Sequence, residues 1–172
     1  MKKSGRVHTL IIAVIGSNQC SREEAINAET IGRELAKKGA IIICGGMGSV
    51  MEAVGRGASM EDGITVGILP SDEPLSANKF VKIPVATGLG QARNVAVVKS
   101  AHAVIAVGGD YGTLSEIAFA LKSKIPVIGL NTWFLRKNQQ DDTAVVEAKN
   151  AADAIKKAIA LSKKEKQEKN EI

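Results

Sequence analysis

Aromatic residues are scarce in this chain: five side chains, 3% of 172 residues. A single-strand nucleic-acid binder built on stacked bases needs more ring faces than that. Four prolines leave no Pro-rich linker. The two cysteines, Cys20 and Cys44, form no CxxC and have no nearby histidine, so their spacing indicates neither a zinc site nor a disulfide framework. No apolar run reaches the roughly 18 residues needed to cross a membrane. The run from Leu10 to Ile15 is too short for a signal peptide, so the cytoplasm is the expected location. GxxxxGK[ST] is absent, which argues against a P-loop NTPase. GxGxxG after the first strand is absent with its acidic ribose partner, which argues against a typical NAD enzyme. HExxH and GxSxG are missing too.

What is present is the balance of an ordinary globular protein, 45% apolar and 24% charged. The length suits one domain over 1–172 with a real core. The formal charge is +5. Much of the excess lies in Lys2, Lys3 and Arg6 and in the tail lysines Lys163, Lys164, Lys166 and Lys169. The tail lysines alternate with Glu165, Glu168 and Glu171, which reads as a solvated helix end, expected to fray over 163–172, rather than a nucleic-acid surface.

Short apolar runs alternate with helical stretches. Strands are expected at 7–15, 40–44, 64–69, 80–85, 103–107 and 126–130. Helices are expected at 22–38, 49–60, 91–100, 113–123 and 143–166, with a polar loop at 71–78. The strand runs are almost continuous in Val, Ile and Ala, as in strands covered on both sides. The expected fold is therefore α/β: a Rossmann-like three-layer sandwich, with a mostly parallel sheet and helices on both faces.

Ligands of such sheets bind at the carboxyl ends of the strands. Three glycine-rich turns fall there: Gly16-Ser17-Asn18, Gly45-Gly46-Met47-Gly48, and the run from Gly108 through Gly109, Asp110, Tyr111 and Gly112 to Thr113. The last two lead straight into helices, whose free N–H groups and partial positive charge suit a phosphate. Gly16, Ser17, Gly45, Gly46, Gly48, Gly109, Asp110, Tyr111, Gly112 and Thr113 are thus candidates for a phosphorylated, nucleotide-sized ligand.

Several of these residues have a second reading. Thr113-Leu-Ser-Glu116, Ser49-Val-Met-Glu52 and Ser21-Arg-Glu-Glu24 all have the form of a capping box, so their glutamates can be helix caps alone. Glu24 follows no glycine loop and reads as structural. Arg93, placed early in a helix, opposes the helix dipole, which favours an anion-binding role. Tyr111 either covers a base or packs its turn. His8 and His102 sit at strand starts, away from the loops.

Arg93-Asn94, fifteen residues before Gly108, followed by Gly109-Asp110-Tyr111-Gly112-Thr113-Leu114-Ser115-Glu116, resembles the Lonely Guy family. These are cytokinin riboside 5′-monophosphate phosphoribohydrolases, once misnamed lysine decarboxylases. The resemblance runs from the first strand to about Leu130. It implies Glu116 as catalytic carboxylate, Arg93 as catalytic arginine, and Gly109, Gly112 and Thr113 as the phosphate loop. It also implies a homodimer or higher homo-oligomer. Gly108 stands where the family has Pro, Asp110 where it has the second Gly, and Asn94 where it has Lys. These departures resemble a sister branch that includes the molybdenum cofactor carrier proteins, which bind a phosphorylated pterin on the same fold.

Two functions stand side by side. In one, a nucleoside 5′-monophosphate such as AMP loses its base. Glu116 stabilises the oxocarbenium or activates water, Arg93 orients Glu116 or clamps the phosphate, and the products are free base and ribose 5-phosphate. In the other, the same site carries a nucleotide or molybdopterin without catalysis. A nucleic-acid or regulatory module on the basic ends is the third reading, behind both. No resident cofactor, metal, nucleic acid or membrane is expected. No pyridoxal phosphate signature supports lysine decarboxylation.

Overall fold

The computed structural model describes residues 9–170, with side chains as far as Lys163. The strands are β1 (Ile11–Gly16), β2 (Ile41–Cys44), β3 (Ile64–Leu69), β4 (Ile83–Ala86), β5 (Ala103–Val107), β6 (Val127–Leu130), β7 (Leu135–Lys137), β8 (Gln140–Asp142) and β9 (Val145–Glu147). The helices are α1 (Arg22–Lys37), α2 (Val50–Ser59), α3 (Asn94–Lys99), α4 (Tyr111–Lys122) and α5 (Ala151–Asn170). Seven strands form one sheet in the order β4-β3-β2-β1-β5-β6-β9, and every neighbouring pair is parallel. β7 and β8 form a separate antiparallel hairpin.

The sheet is apolar on both faces. Ile12, Val14, Ile42 and Ile105 pack under α1, α2 and α5, with Ile31, Leu35, Val54 and Ile155 from the helices. Ala13, Ile15, Val104 and Ala106 pack on the other side against Val97, Val98 and Ile117 of α3 and α4. This is the three-layer arrangement read from the sequence. α1 and α2 approach closely because both are glycine at the crossing. A Cβ on Gly32 would overlap the Val54 carbonyl, and one on Gly57 the Glu29 carbonyl.

The departures from the sequence reading have local causes. The helix expected from Thr143 begins at Ala151, and Val145–Glu147 instead adds β9 beside β6. The β-branched pair Val145 and Val146 suits an edge strand, and the Asn150 side chain accepts the Asp153 N–H where the helix then starts. The 91–100 helix is a 3₁₀ turn (Gly90–Arg93) running into α3. The strand expected from Phe80 starts at Ile83. Positions 7 and 8, at the head of the first expected strand, lie outside the described residues, as do the side chains of the lysine and glutamate tail from 164 onward. His102 serves structure: its Nδ1 accepts the Ile11 N–H at 3.0 Å, at the amino end of the sheet.

Candidate functional site

The strand order reverses between β1 and β5: β2 and β3 lie on one side of β1, β5 and β6 on the other. At such a switch point the loops leaving adjacent strands diverge and open a crevice. A cleft of about 670 Å³ opens there, lined by Gly16, Asn18, Gly45, Met47, Met51, Pro70, Gln91, Arg93, Asn94, Tyr111, Ser115 and Glu116, with Asp110, Gly112 and Thr113 at the start of α4. The volume lies within the range of small-molecule sites.

Arg93 is held in place by the end of β3. Thr87 Oγ1 donates to the Leu69 carbonyl at 2.7 Å and accepts the Leu89 N–H, and Gly90 N donates to the Pro70 carbonyl at 2.9 Å. The 3₁₀ turn then delivers Arg93 inward, only 7% exposed. Its Nη1 donates to Asn94 Oδ1 at 2.7 Å, and Asn94 Nδ2 faces Ser115 Oγ at 3.4 Å. Gly45 makes room for the guanidinium, because a Cβ there would lie 2.6 Å from Nη2.

Glu116 does not cap α4. It faces Arg93, Oε1 to Nη1, at 3.6 Å, and is 6% exposed. The cap is Asp110, whose Oδ1 accepts Gly112 N at 2.9 Å and Thr113 N at 3.5 Å. The Thr113–Glu116 capping box is therefore corrected: the helix starts two residues earlier than expected, because Asp110 has the short acceptor a cap needs. Ser49–Glu52 fails as a box too. Ser49 has φ +52 and no side-chain cap bond, and its hydroxyl donates to the Asn18 carbonyl at 2.6 Å. Ser21–Glu24 is a complete box.

Burial pushes the Glu116 carboxyl up from the ordinary 4.5 to about 8; Arg93 opposes that rise and Asp110 adds to it. Burial also lowers Arg93, against the pull of Glu116. The rise draws the carboxyl toward its neutral form, in which it balances less of the guanidinium charge. Arg93 Nε and Thr113 Oγ1 are buried without a hydrogen-bond partner among the described residues. Buried polar atoms are seldom left so, and where they are a site deserves consideration.

Of the sequence candidates, Arg93, Glu116, Gly16, Gly45, Asp110, Tyr111, Gly112 and Thr113 meet at this cleft. Ser17 and Gly109 line an adjoining cavity of about 480 Å³ with Glu24. Gly46 and Gly48 do not line the cleft; the Gly46 carbonyl accepts Asn78 N at 2.9 Å and fastens the 71–78 loop. Sequence reasoning did not single out Met51 or Gln91, and Ser115 entered only as a position inside the Gly109–Glu116 run. It also missed Trp133, whose indole N–H donates to the Asp110 carbonyl at 3.0 Å from 23 residues away. Among the described residues, no group of three or more His, Cys, Asp or Glu could hold a metal ion. Among them also, no helix is long and apolar enough to cross a membrane.

Fold and cleft together define an open parallel α/β protein with a candidate ligand site at its switch point. Residues 9–164 match the model of LDcluster4, the SLOG cluster4 family, and the chain belongs to that family. This agrees with the resemblance to the Lonely Guy superfamily and its carrier branch. The chain is similar to the molybdenum cofactor binding protein of Rippkaea orientalis, at 34% identity over 91% of this chain and 99% of that one, with a TM-score of 0.81. It is similar also to the molybdenum cofactor carrier protein of Chlamydomonas reinhardtii, at 31% identity over 89% and 98% of the two chains, with a TM-score of 0.76. An uncharacterized protein of Archaeoglobus fulgidus is 49% identical over 111 residues, 64% of this chain and 73% of that protein.

Proposed function

We propose that this protein binds and carries a phosphorylated small molecule, a molybdopterin or a nucleoside 5′-monophosphate, with its phosphate turned toward Arg93. The observation that carries the reading is the buried guanidinium at the switch-point cleft, whose Nε has no partner among the described residues and whose carboxyl neighbour is drawn by burial toward its neutral form. A buried cation whose neighbour gives it little charge is stabilised by an incoming anion. The likeness to two proteins described as molybdenum cofactor binding or carrying supports the pterin alternative.

Hydrolysis is the second reading, favoured by the direct pairing of Arg93 with Glu116. A carboxyl raised by burial can also give a proton to a departing base, so base release is what separates cleavage from carriage. The test is incubation with AMP and an N6-substituted AMP, assaying free base and ribose 5-phosphate, with Glu116→Ala and Arg93→Ala alongside and calorimetric titration of AMP and molybdopterin. Binding without base release supports the carrier. Base release lost in both variants establishes the hydrolase. A well-folded protein that binds neither ligand sinks both. The reading includes a homodimer or higher homo-oligomer, which light scattering on the eluting protein would measure.

A further inference from the structure

In a chain with so few aromatic residues, three of the five gather at one place: Tyr111, Trp133 and Phe134. Tyr111 is 79% exposed on the rim of the cleft and Phe134 is 70% exposed. The Tyr111 and Trp133 rings lie 5.4 Å apart, tilted by 39°. They stand between the cleft and a second cavity of about 380 Å³ beyond Trp133. The loop after β6 is tied to the loop after β5 by two bonds: Thr132 Oγ1 donates to the Gly108 carbonyl, and Trp133 Nε1 to the Asp110 carbonyl. The indole therefore spends its N–H on the backbone and keeps its ring fixed. Rings exposed at a concave, tethered site are placed for a ligand rather than for a core.

The second cavity also has a polarity. Among the described residues Asp142 and Glu147 contribute to its lining and no lysine or arginine does; Asp142 Oδ1 accepts the Ala144 N–H, which leaves Oδ2, and Lys157 Nζ donates to the Glu147 carbonyl rather than to its carboxylate. Carboxylates accept hydrogen bonds, so the edge that enters best is one carrying N–H donors. The cation, by contrast, is on the cleft side, at Arg93.

We infer that Tyr111 and Trp133 are the stacking surface for a planar amino-substituted heterocycle, a purine or pterin, whose donor-rich edge points into the cavity of Asp142 and Glu147 while its phosphate arm lies along the cleft toward Arg93. The inference deepens the reading of the cleft as a phosphorylated-ligand site and rests on it. The 2-aminopyrimidinone ring that guanine and pterin share presents adjacent N–H donors that one carboxylate accepts together. Guanine is thus expected to bind better than adenine.

Trp133 is the only tryptophan of the chain, so its emission reports directly on the platform. The experiment titrates GMP, AMP, guanosine and ribose 5-phosphate into the wild type, Tyr111→Ala and Tyr111→Phe, following tryptophan emission and thermal shift. GMP and AMP are expected to alter Trp133 emission, with GMP tighter. Tyr111→Ala is expected to weaken GMP roughly tenfold or more, the size stacking has for nucleobases, while Tyr111→Phe keeps it. Ribose 5-phosphate is expected to bind equally to all three proteins. Tyr111 is exposed, so its truncation leaves the core intact. Equal GMP affinity in the wild type and Tyr111→Ala, with ribose 5-phosphate still bound, overturns the stacking surface but spares the phosphate site. Guanosine that binds and perturbs Trp133 while ribose 5-phosphate does not supports the stacking surface and overturns the phosphate reading. Binding of none of the four, nor of molybdopterin titrated beside them, overturns both.

Discussion

The guanidinium of Arg93 and the carboxyl of Glu116 face each other at 3.6 Å, from two different helical segments, in a pocket that leaves each under a tenth exposed. Burial holds the carboxyl at about 8 against an ordinary 4.5. Between these values the folded chain keeps a proton that the unfolded chain has released. Stability contributed by this group is therefore full below about pH 4.5 and is lost as pH rises through about 8. The slope is at most about 1.4 kcal/mol per pH unit for one proton. Urea denaturation of the wild type and Glu116→Gln from pH 5 to 8.5 measures it. The difference between the two proteins should move in favour of Glu116→Gln as pH rises. A difference independent of pH would show that the carboxyl is ionised throughout.

The same proton governs the ligand. Ionised Glu116 balances Arg93 and repels a phosphate, so the protonated form is the binding form. Affinity for ribose 5-phosphate should fall about tenfold from pH 7 to pH 9, as the competent fraction falls. Glu116→Gln should remove that fall, because its amide does not titrate. Calorimetric titration at three pH values reads both curves. Retention of the fall in Glu116→Gln would assign it to another group.

Gly45 tests whether the seat of Arg93 matters. Its missing Cβ is the space into which the guanidinium fits, 2.6 Å from both Arg93 Nη2 and Met51 Sδ. Gly45→Ala should push the guanidinium aside and weaken phosphate binding by roughly tenfold or more, from overpacking on the order of 1–3 kcal/mol. The melting temperature should fall as well. Unchanged affinity in a folded Gly45→Ala protein would mean that the phosphate does not lie at this guanidinium.

The sheet was legible because most of its strands are covered on both faces and therefore read as nearly continuous apolar runs; β3 and β5 fall where the runs at 64–69 and 103–107 begin and end. β9 was not, since three residues of edge strand carry too little pattern to compete with the helical composition that follows. Arg93 and Glu116 were legible as a spaced pair, although the capping-box form of Thr113–Glu116 concealed which way Glu116 turns. Only the position of Asp110 at the helix start decides that. Trp133 was invisible as a site residue, because nothing in its neighbourhood signals the long-range bond to the Asp110 carbonyl.

Asp110 offers the sharpest separation of structural and functional roles. Its carboxylate caps α4 by accepting Gly112 N and Thr113 N, and its charge helps raise Glu116. It thereby occupies the N–H groups that a phosphate at this helix end would use. Asp110→Asn keeps an acceptor at the cap and removes the charge, so stability should stay nearly unchanged, and phosphate affinity should rise when measured near pH 6, where Glu116 keeps its proton with or without that charge. Asp110→Ala loses the cap, at a cost of about 1 kcal/mol, and frees both N–H groups, so it should bind ribose 5-phosphate more tightly still. Calorimetric titration paired with chemical denaturation resolves the two effects. Weaker binding in both variants would reverse the assignment and make Asp110 a ligand-holding group. Repeating the titration with magnesium then decides how: a gain that the wild type shows and Asp110→Asn lacks would mean that the carboxylate meets the phosphate through a cation.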